Sequence, residues 1–266
     1  MRPNITFRKF LLFILILISA YLFAITIERP KKHKNISGLT SLRRIIEPRE
    51  EFKKNVFVDG EKIKFGIYSY GIRVGSGQLD YLGRKKEDGV YVTRVIFTAS
   101  TLSVKDKDEV WGTKDFSYPI KVERKVSLLG KDEHIIEKYS LDKKSVAITK
   151  IVNKAEPTTD TIVSDDKLSN VFLLLYCLRN DDDIKEGKVY KINLPTQKFD
   201  LVVDSRKKIK VPLGEFDVFY IESRPPKYRI WLQAQGSRIP VKIQGLVAGG
   251  MVYLAATDVF PKRNSN

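Results

Sequence analysis

Apolar residues in this chain follow two patterns. Between Phe10 and Ile27 they run on with no charged residue, as FLLFILILISAYLFAITI. From Val56 onward they come in short stretches that alternate with polar positions, as where Ile63, Phe65 and Ile67 are set against Lys62 and Lys64. An apolar helix of roughly 18 residues, rising 1.5 Å per residue, reaches across a hydrocarbon core about 30 Å thick. The first pattern therefore predicts a membrane anchor, and the second predicts strands with one buried face.

The anchor residues are Phe10, Leu11, Leu12, Phe13, Ile14, Leu15, Ile16, Leu17, Ile18, Tyr21, Leu22, Phe23, Ile25 and Ile27. Arg2, Arg8 and Lys9 precede them, as a basic n-region precedes both signal peptides and uncleaved anchors. Peptidase sites ending at Ala20 or Ala24 would place Ile18 or Leu22 where a small residue is needed. That favours retention of the segment. No cysteine follows it to carry a lipid, since the only one is Cys177. Arg29, Lys31, Lys32 and Lys34 lie just beyond the span and outnumber the basic residues before it, which by charge alone would keep the large domain inside.

Residues 28–55 are polar and basic, interrupted by Pro30, Gly38 and Pro48, and they read as a tether. Strands are then expected from the Ile63 run, Gly77 to Leu82, Gly89 to Ser100, Glu109 to Phe116, Ile120 to Leu128, Asp132 to Leu141 and Ser145 to Asn153. Asp88-Gly89 is a hairpin dipeptide. Lys154 to Asp160, with Pro157, breaks the ladder. Further strands follow at Lys188 to Leu194, Lys198 to Asp204, Lys208 to Val211, Glu215 to Ser223, Tyr228 to Gln233, Pro240 to Gly245 and Gly250 to Thr257.

Asp165 to Arg179 departs from this pattern. Leu168, Val171, Phe172, Leu175 and Leu178 fall at helical spacing, Asp165 and Asp166 suit the positive end of a helix dipole, and Arg179 suits the negative end. Ser164 or an aspartate is the expected cap. Leu173, Leu174 and Cys177 occupy the other faces, so the helix is apolar nearly all round and belongs inside a curved sheet. A buried strand is the competing reading of the same run. The fold class that results is mainly β: a curved antiparallel sheet or open β-barrel around one buried helix, behind an N-terminal transmembrane helix. The domains are 1–27 (anchor), 28–55 (tether), 56–260 (one β domain) and 261–266 (a disordered tail).

The formal charge of +16 admits anionic surfaces as partners, among them lipid head groups, phosphorylated glycolipids and nucleic acid, although a solvated lysine-rich surface is the plainer and favoured reading. A lone cysteine precludes an internal disulfide. Catalytic material is scarce: the histidines are His33, in the tether, and His134, in a strand run. Gly71, Gly75 and Gly77 lack the lysine of a phosphate loop and the third glycine of a dinucleotide fingerprint, and suit a bulge or a tight strand crossing. Asp181, Asp182 and Asp183 offer oxygens to a hard cation without the rest of an EF-hand loop. Cys177 sits among leucines, where a thiol is inert. Arg206, Lys207, Lys208 and Lys210, with Lys227 and Arg229 flanking Tyr228 near Trp231, interleave base and aromatic as single-strand binders do, yet without a nucleic-acid motif.

Several stretches together resemble the bacterial family known as domain of unknown function 3108: Gly60-Glu61-Lys62-Ile63 with Phe65, Tyr68 and Gly75; Leu168-Ser169 leading to Leu178-Arg179; Gly214-Glu215-Phe216; Ile230-Trp231-Leu232 with Arg238-Ile239-Pro240-Val241; and Gly250 to Leu254. The resemblance spans roughly Val56 to Val259. It implies an exported envelope protein with an open antiparallel barrel and no established catalytic residue, and it turns the expected orientation outward. The reading is of an inner-membrane, single-pass protein with an extracytoplasmic domain, no cofactor, no metal and no enzymatic activity. It would act as a scaffold for an unknown envelope protein partner, or alternatively carry a lipid or other hydrophobic ligand on its concave face. Membrane contact includes anionic lipid or glycolipid, and nucleic acid is disfavoured as a partner.

Overall fold

A computed structural model describes residues 56–87, 89–247 and 250–261. The anchor expected at Phe10 to Ile27, the tether and the residues beyond 261 lie outside the described residues, within which no helix is long and apolar enough to cross a membrane.

The strands of the first half are β1 (Lys62–Ser69), β2 (Ile72–Glu87), β3 (Val90–Thr101), β4 (Val104–Thr113), β5 (Pro119–Leu128), β6 (Lys131–Ser140), β7 (Ser145–Val152) and β8 (Thr158–Val163). One helix, α1 (Val171–Asn180), follows. The second half runs through β9 (Val189–Leu194), β10 (Gln197–Val211), β11 (Gly214–Arg224), β12 (Tyr228–Gln233), β13 (Pro240–Val247) and β14 (Gly250–Phe260). All fourteen form one antiparallel sheet in the order β8-β7-β6-β5-β4-β3-β2-β1-β14-β13-β12-β11-β10-β9. Two meanders are thus joined through the β1–β14 pair, and the sheet is open, with β8 and β9 as its edges.

The edges are linked by the segment leading into the helix. Ser169 donates its backbone N–H to the Asn193 carbonyl on β9 at 2.7 Å. The Asn193 amide in turn donates to Ser164 Oγ and to the carbonyls of Asp166 and Lys167. These bonds engage edge groups that strand pairing would otherwise need.

The helix then crosses the concave side. Near its start Phe172 stacks on Phe97 of β3, with ring centroids 4.8 Å apart. Gly112 of β4 admits Leu173 so closely that an added Cβ would stand 2.6 Å from it. At its end Arg179 donates to the carbonyl of Ser237 in the β12–β13 turn. Contacts on strands so far apart in the sheet order require the sheet to curve around the helix.

Three expectations change in detail. The helix starts at Val171, capped by Asn170, whose side chain accepts from the N–H groups of Phe172 and Leu173. Ser164 and Asp166 are not in its first turn because they bind β9. Lys154 to Asp160 does not end the ladder: Thr158–Val163 pairs with β7. As an edge strand exposed at nearly every position, it has no apolar alternation to reveal it. The expected strands at Lys198 and Lys208 are one, bent by an irregularity between Val203 and Ser205.

Candidate functional site

The concave side gathers two buried charge clusters. The first lies at the end of α1. Arg179 is fully buried, its Nη1 lies 2.6 Å from Glu61 Oε1 at the start of β1, and its guanidinium sits 4.6 Å from the ring centroid of Phe57. The Nη1–Oε1 approach is a Coulombic contact and not an aligned hydrogen bond. Phe57, Tyr81, Phe116 and Tyr176 pack edge-on or stacked around it. A buried cation over aromatic faces gains from the ring quadrupole as well as from its carboxylate. Arg238 of the neighbouring turn donates to the Asp181 carbonyl just past the helix, where free carbonyls need donors.

The second cluster lies across β4, β5 and β6. Val104, Asp106, Asp108 and Val110 alternate with outward residues and therefore face inward together. Arg124 forks onto Asp106, Nε to Oδ1 at 3.1 Å and Nη2 to Oδ2 at 2.9 Å, and approaches Asp108 Oδ1 at 3.6 Å. Glu137 on β6 accepts from the Tyr139 hydroxyl at 2.6 Å. Three carboxyl groups share one guanidinium in a buried setting. Burial pushes Asp108 up to about 8, Arg124 opposes the shift, and Asp106 and Glu137 add to it. Around neutral pH Asp108 therefore keeps its proton.

Chemically, these groups hold charge and one proton. Asp106, Asp108, Arg124 and Glu137 are all buried, so solvent and substrate do not reach them. Open hollows occur elsewhere. One of about 350 Å³ lies over β1–β3, where Gly77 bares the strand between Arg73, Gln78 and Ser100. Another of about 350 Å³ follows the β10–β11 hairpin.

Of the helix residues expected in the core, Leu175 and Leu178 are buried, Phe172 is half-buried and Leu168 is buried but precedes the helix. Val171 is 40 % exposed. The later start of the helix turns its inner face to Leu173, Tyr176 and Arg179, so Val171 is corrected to a surface position. Cys177 is half-buried, and burial, aided by Asp115 and Asp181, pushes its thiol up to about 11.

His134 lies on β6 with Nε2 3.0 Å from Glu123 Oε1, in a partly exposed group shared with Lys121 and Lys125. Asp181 holds Lys188 and the Tyr190 hydroxyl at 2.6 Å each, and Asp183 holds Lys185 and Lys188. Lysines thus occupy the oxygens a cation would want, and among the described residues no group of histidine, cysteine or acidic side chains is arranged to hold a metal. Gly71 takes a left-handed φ of 80° in the β1–β2 turn, beside a register shift at Ile67/Tyr68. The β10–β11 hairpin is not uniformly basic in three dimensions: Lys208 pairs across to Asp217 and Lys210 to Glu215, while Arg229 binds Glu222 at 2.6 Å. Sequence reading missed both buried clusters. Their signal was the phase of Asp106 and Asp108 with Val104 and Val110, and that of Arg179 with Leu175 and Tyr176.

Several solved structures are similar to this chain, among them three bacterial proteins. No family model matches it, and no curated protein does. The beta-barrel-like protein of domain of unknown function DUF1849 from Brucella abortus aligns with a TM-score of 0.47 at 11% identity, over 76% of this chain and 97% of that one. A protein described as exported, with a YmcC-like fold, from Bacteroides fragilis gives 0.31 at 9% identity, over 77% and 97%. A protein described as a lipoprotein from Parabacteroides distasonis gives 0.27 at 11% identity, over 79% and 100%. At these scores the likenesses decide nothing about function. The resemblance to domain of unknown function 3108 likewise stays a resemblance.

Proposed function

We propose that this chain is a non-catalytic cell-envelope protein, held in the inner membrane by its N-terminal apolar segment, whose extracytoplasmic β domain binds a partner with its outer surface. The observation that carries this reading is the use of the concave side: α1 and its aromatic neighbours lie across it, and the polar groups that converge there bind one another out of reach of solvent. A carrier would keep that side hollow and apolar, as ligand cavities of a few hundred Å³ are. A hydrolase would bring a titratable pair to an accessible cleft. Location is supported by the charge-free run Phe10 to Ile27 and by the sequence resemblance to an exported family.

Reporter fusions after Lys54 and after Asn266 in intact cells test the reading. Activity of an extracytoplasmic reporter at both sites is expected. Activity of a cytoplasmic reporter at both would overturn it.

A further inference from the structure

In an antiparallel meander, turns fall alternately on two rims of the sheet. The β1–β2, β3–β4, β5–β6 and β13–β14 turns share one rim, as the pairings of Ser69 with Ile72 and Val252, Thr101 with Gly75, and Val104 with Leu128 require. The β1–β2, β3–β4 and β5–β6 turns carry large exposed apolar side chains, whereas the β7–β8, β9–β10 and β11–β12 turns of the same rim are polar or proline-containing. Ile72 is 69% exposed, Leu102 104% and Leu129 67%. On the opposite rim Asp115 and Asp142 to Lys144 lie at turn tips, while the large apolar turn residues Phe116, Tyr118 and Ile239 are buried and Leu141 and Leu213 are half-buried.

Turn tips are ordinarily the most polar part of a strand protein, because their backbone faces water. Leucine at two such tips and isoleucine beside a third is a patterned departure. Each tip is followed by an exposed base: Arg73 after Ile72, Lys105 after Leu102 and Lys131 after Leu129. Acidic neighbours on this rim are Asp132, Glu133 and, in the β7–β8 turn, Glu156; Glu133 is held by Lys131 and Lys150. Tips two strands apart are separated by about 10 Å, so the three apolar residues span about 20 Å along one rim. A flat surface that is apolar just beneath an anionic layer matches both elements, whereas a groove on a protein would have to follow the curve of the rim.

We propose that this rim docks on an anionic bilayer, with Ile72, Leu102 and Leu129 entering the headgroup boundary and Arg73, Lys105 and Lys131 meeting lipid phosphates. Shallow apolar insertion combined with basic residues is a recognised mode of surface binding to membranes. The proposal deepens the envelope reading. It rests on that reading only for which membrane is met, since vesicles test the rim whatever the cellular location. The 28 residues from 28 to 55 could extend about 90 Å, enough to let either rim face the bilayer that holds the anchor.

The full chain, in a Cys177→Ala background, is labelled with an environment-sensitive nitrobenzoxadiazole probe at Leu102→Cys, at Leu129→Cys or, on the opposite rim, at Lys143→Cys. Each variant is reconstituted into phosphatidylcholine vesicles containing phosphatidylglycerol and nitroxide-labelled lipid. The probes at 102 and 129 are expected to shift to the blue and to lose most of their emission, while the probe at 143 keeps its own. Vesicles lacking phosphatidylglycerol, or a chain with Arg73, Lys105 and Lys131 replaced by Glu, should reverse that loss. Equal quenching at all three positions, or none at 102 and 129 in chains with unchanged melting, would overturn the proposal. Probe contact between two chains without lipid quenching would assign the rim to self-association and overturn it as well.

Discussion

Arg179 and Glu61 meet 2.6 Å apart in the interior, one at the last turn of the helix and the other just ahead of the first strand. Neither reaches solvent, and the contact fixes where α1 ends relative to β1. Removing one partner leaves a buried charge without its complement, an effect that costs about 3–5 kcal/mol. Arg179→Met is therefore expected to lower stability by that order in urea unfolding. The double change Arg179→Met with Glu61→Gln should recover part of the loss, because no bare charge remains. A double variant no more stable than the single one would show that the cation–ring packing carries the site.

Asp108 gives a pH dependence whose sign follows from its environment. In the unfolded chain its carboxyl titrates near 3.8, whereas burial raises it to about 8 in the fold. Its contribution is fully present below the unfolded value and is lost as pH rises through the folded one. Asp108→Asn should therefore raise the melting temperature near pH 8 and leave it little changed near pH 4, measured as a pair of melting curves across that range.

Cys177 should behave as a core residue with a thiol. With its pKa pushed up to about 11, the thiolate fraction at neutral pH is very small. Iodoacetamide is expected to modify the folded chain far more slowly than the urea-unfolded one. Comparable rates would place the thiol in the open.

Two glycines give a graded test of packing. A Cβ at Gly112 would stand 2.6 Å from a methyl of Leu173, a side chain able to turn aside. At Gly75 it would stand 2.2 Å from the carbonyl oxygen of Ser100, which belongs to the neighbouring strand backbone. Gly112→Ala should cost about 1–3 kcal/mol and Gly75→Ala more, since a strand must move. The reverse order in chemical denaturation would contradict the close approach of the Ser100 carbonyl to Gly75.

Reading strands from the pattern succeeded where one face is buried, as at Ile63, Phe65 and Ile67, because burial imposes the period of two that the sequence displays. It failed at β8, an edge strand wet on both faces, and at the helix start, where Asn170 and Ser164 are chemically equivalent caps and only tertiary bonding to Asn193 separates them. The charge clusters were harder. Asp106 and Asp108 gain a buried partner only when Arg124, eighteen positions from Asp106, is placed opposite them by the β4–β5 pairing. A sequence states which residues share a face of their own strand, while the fold decides what faces them.

The central claim is that the chain's own helix, and no ligand, occupies the concave side of the sheet. Native mass spectrometry of the full chain, extracted from membranes and stripped of detergent in the gas phase, tests this most directly. The account predicts the mass of the bare polypeptide. One acyl lipid retained per chain, and lost when Leu173→Trp enlarges the helix face, would contradict it.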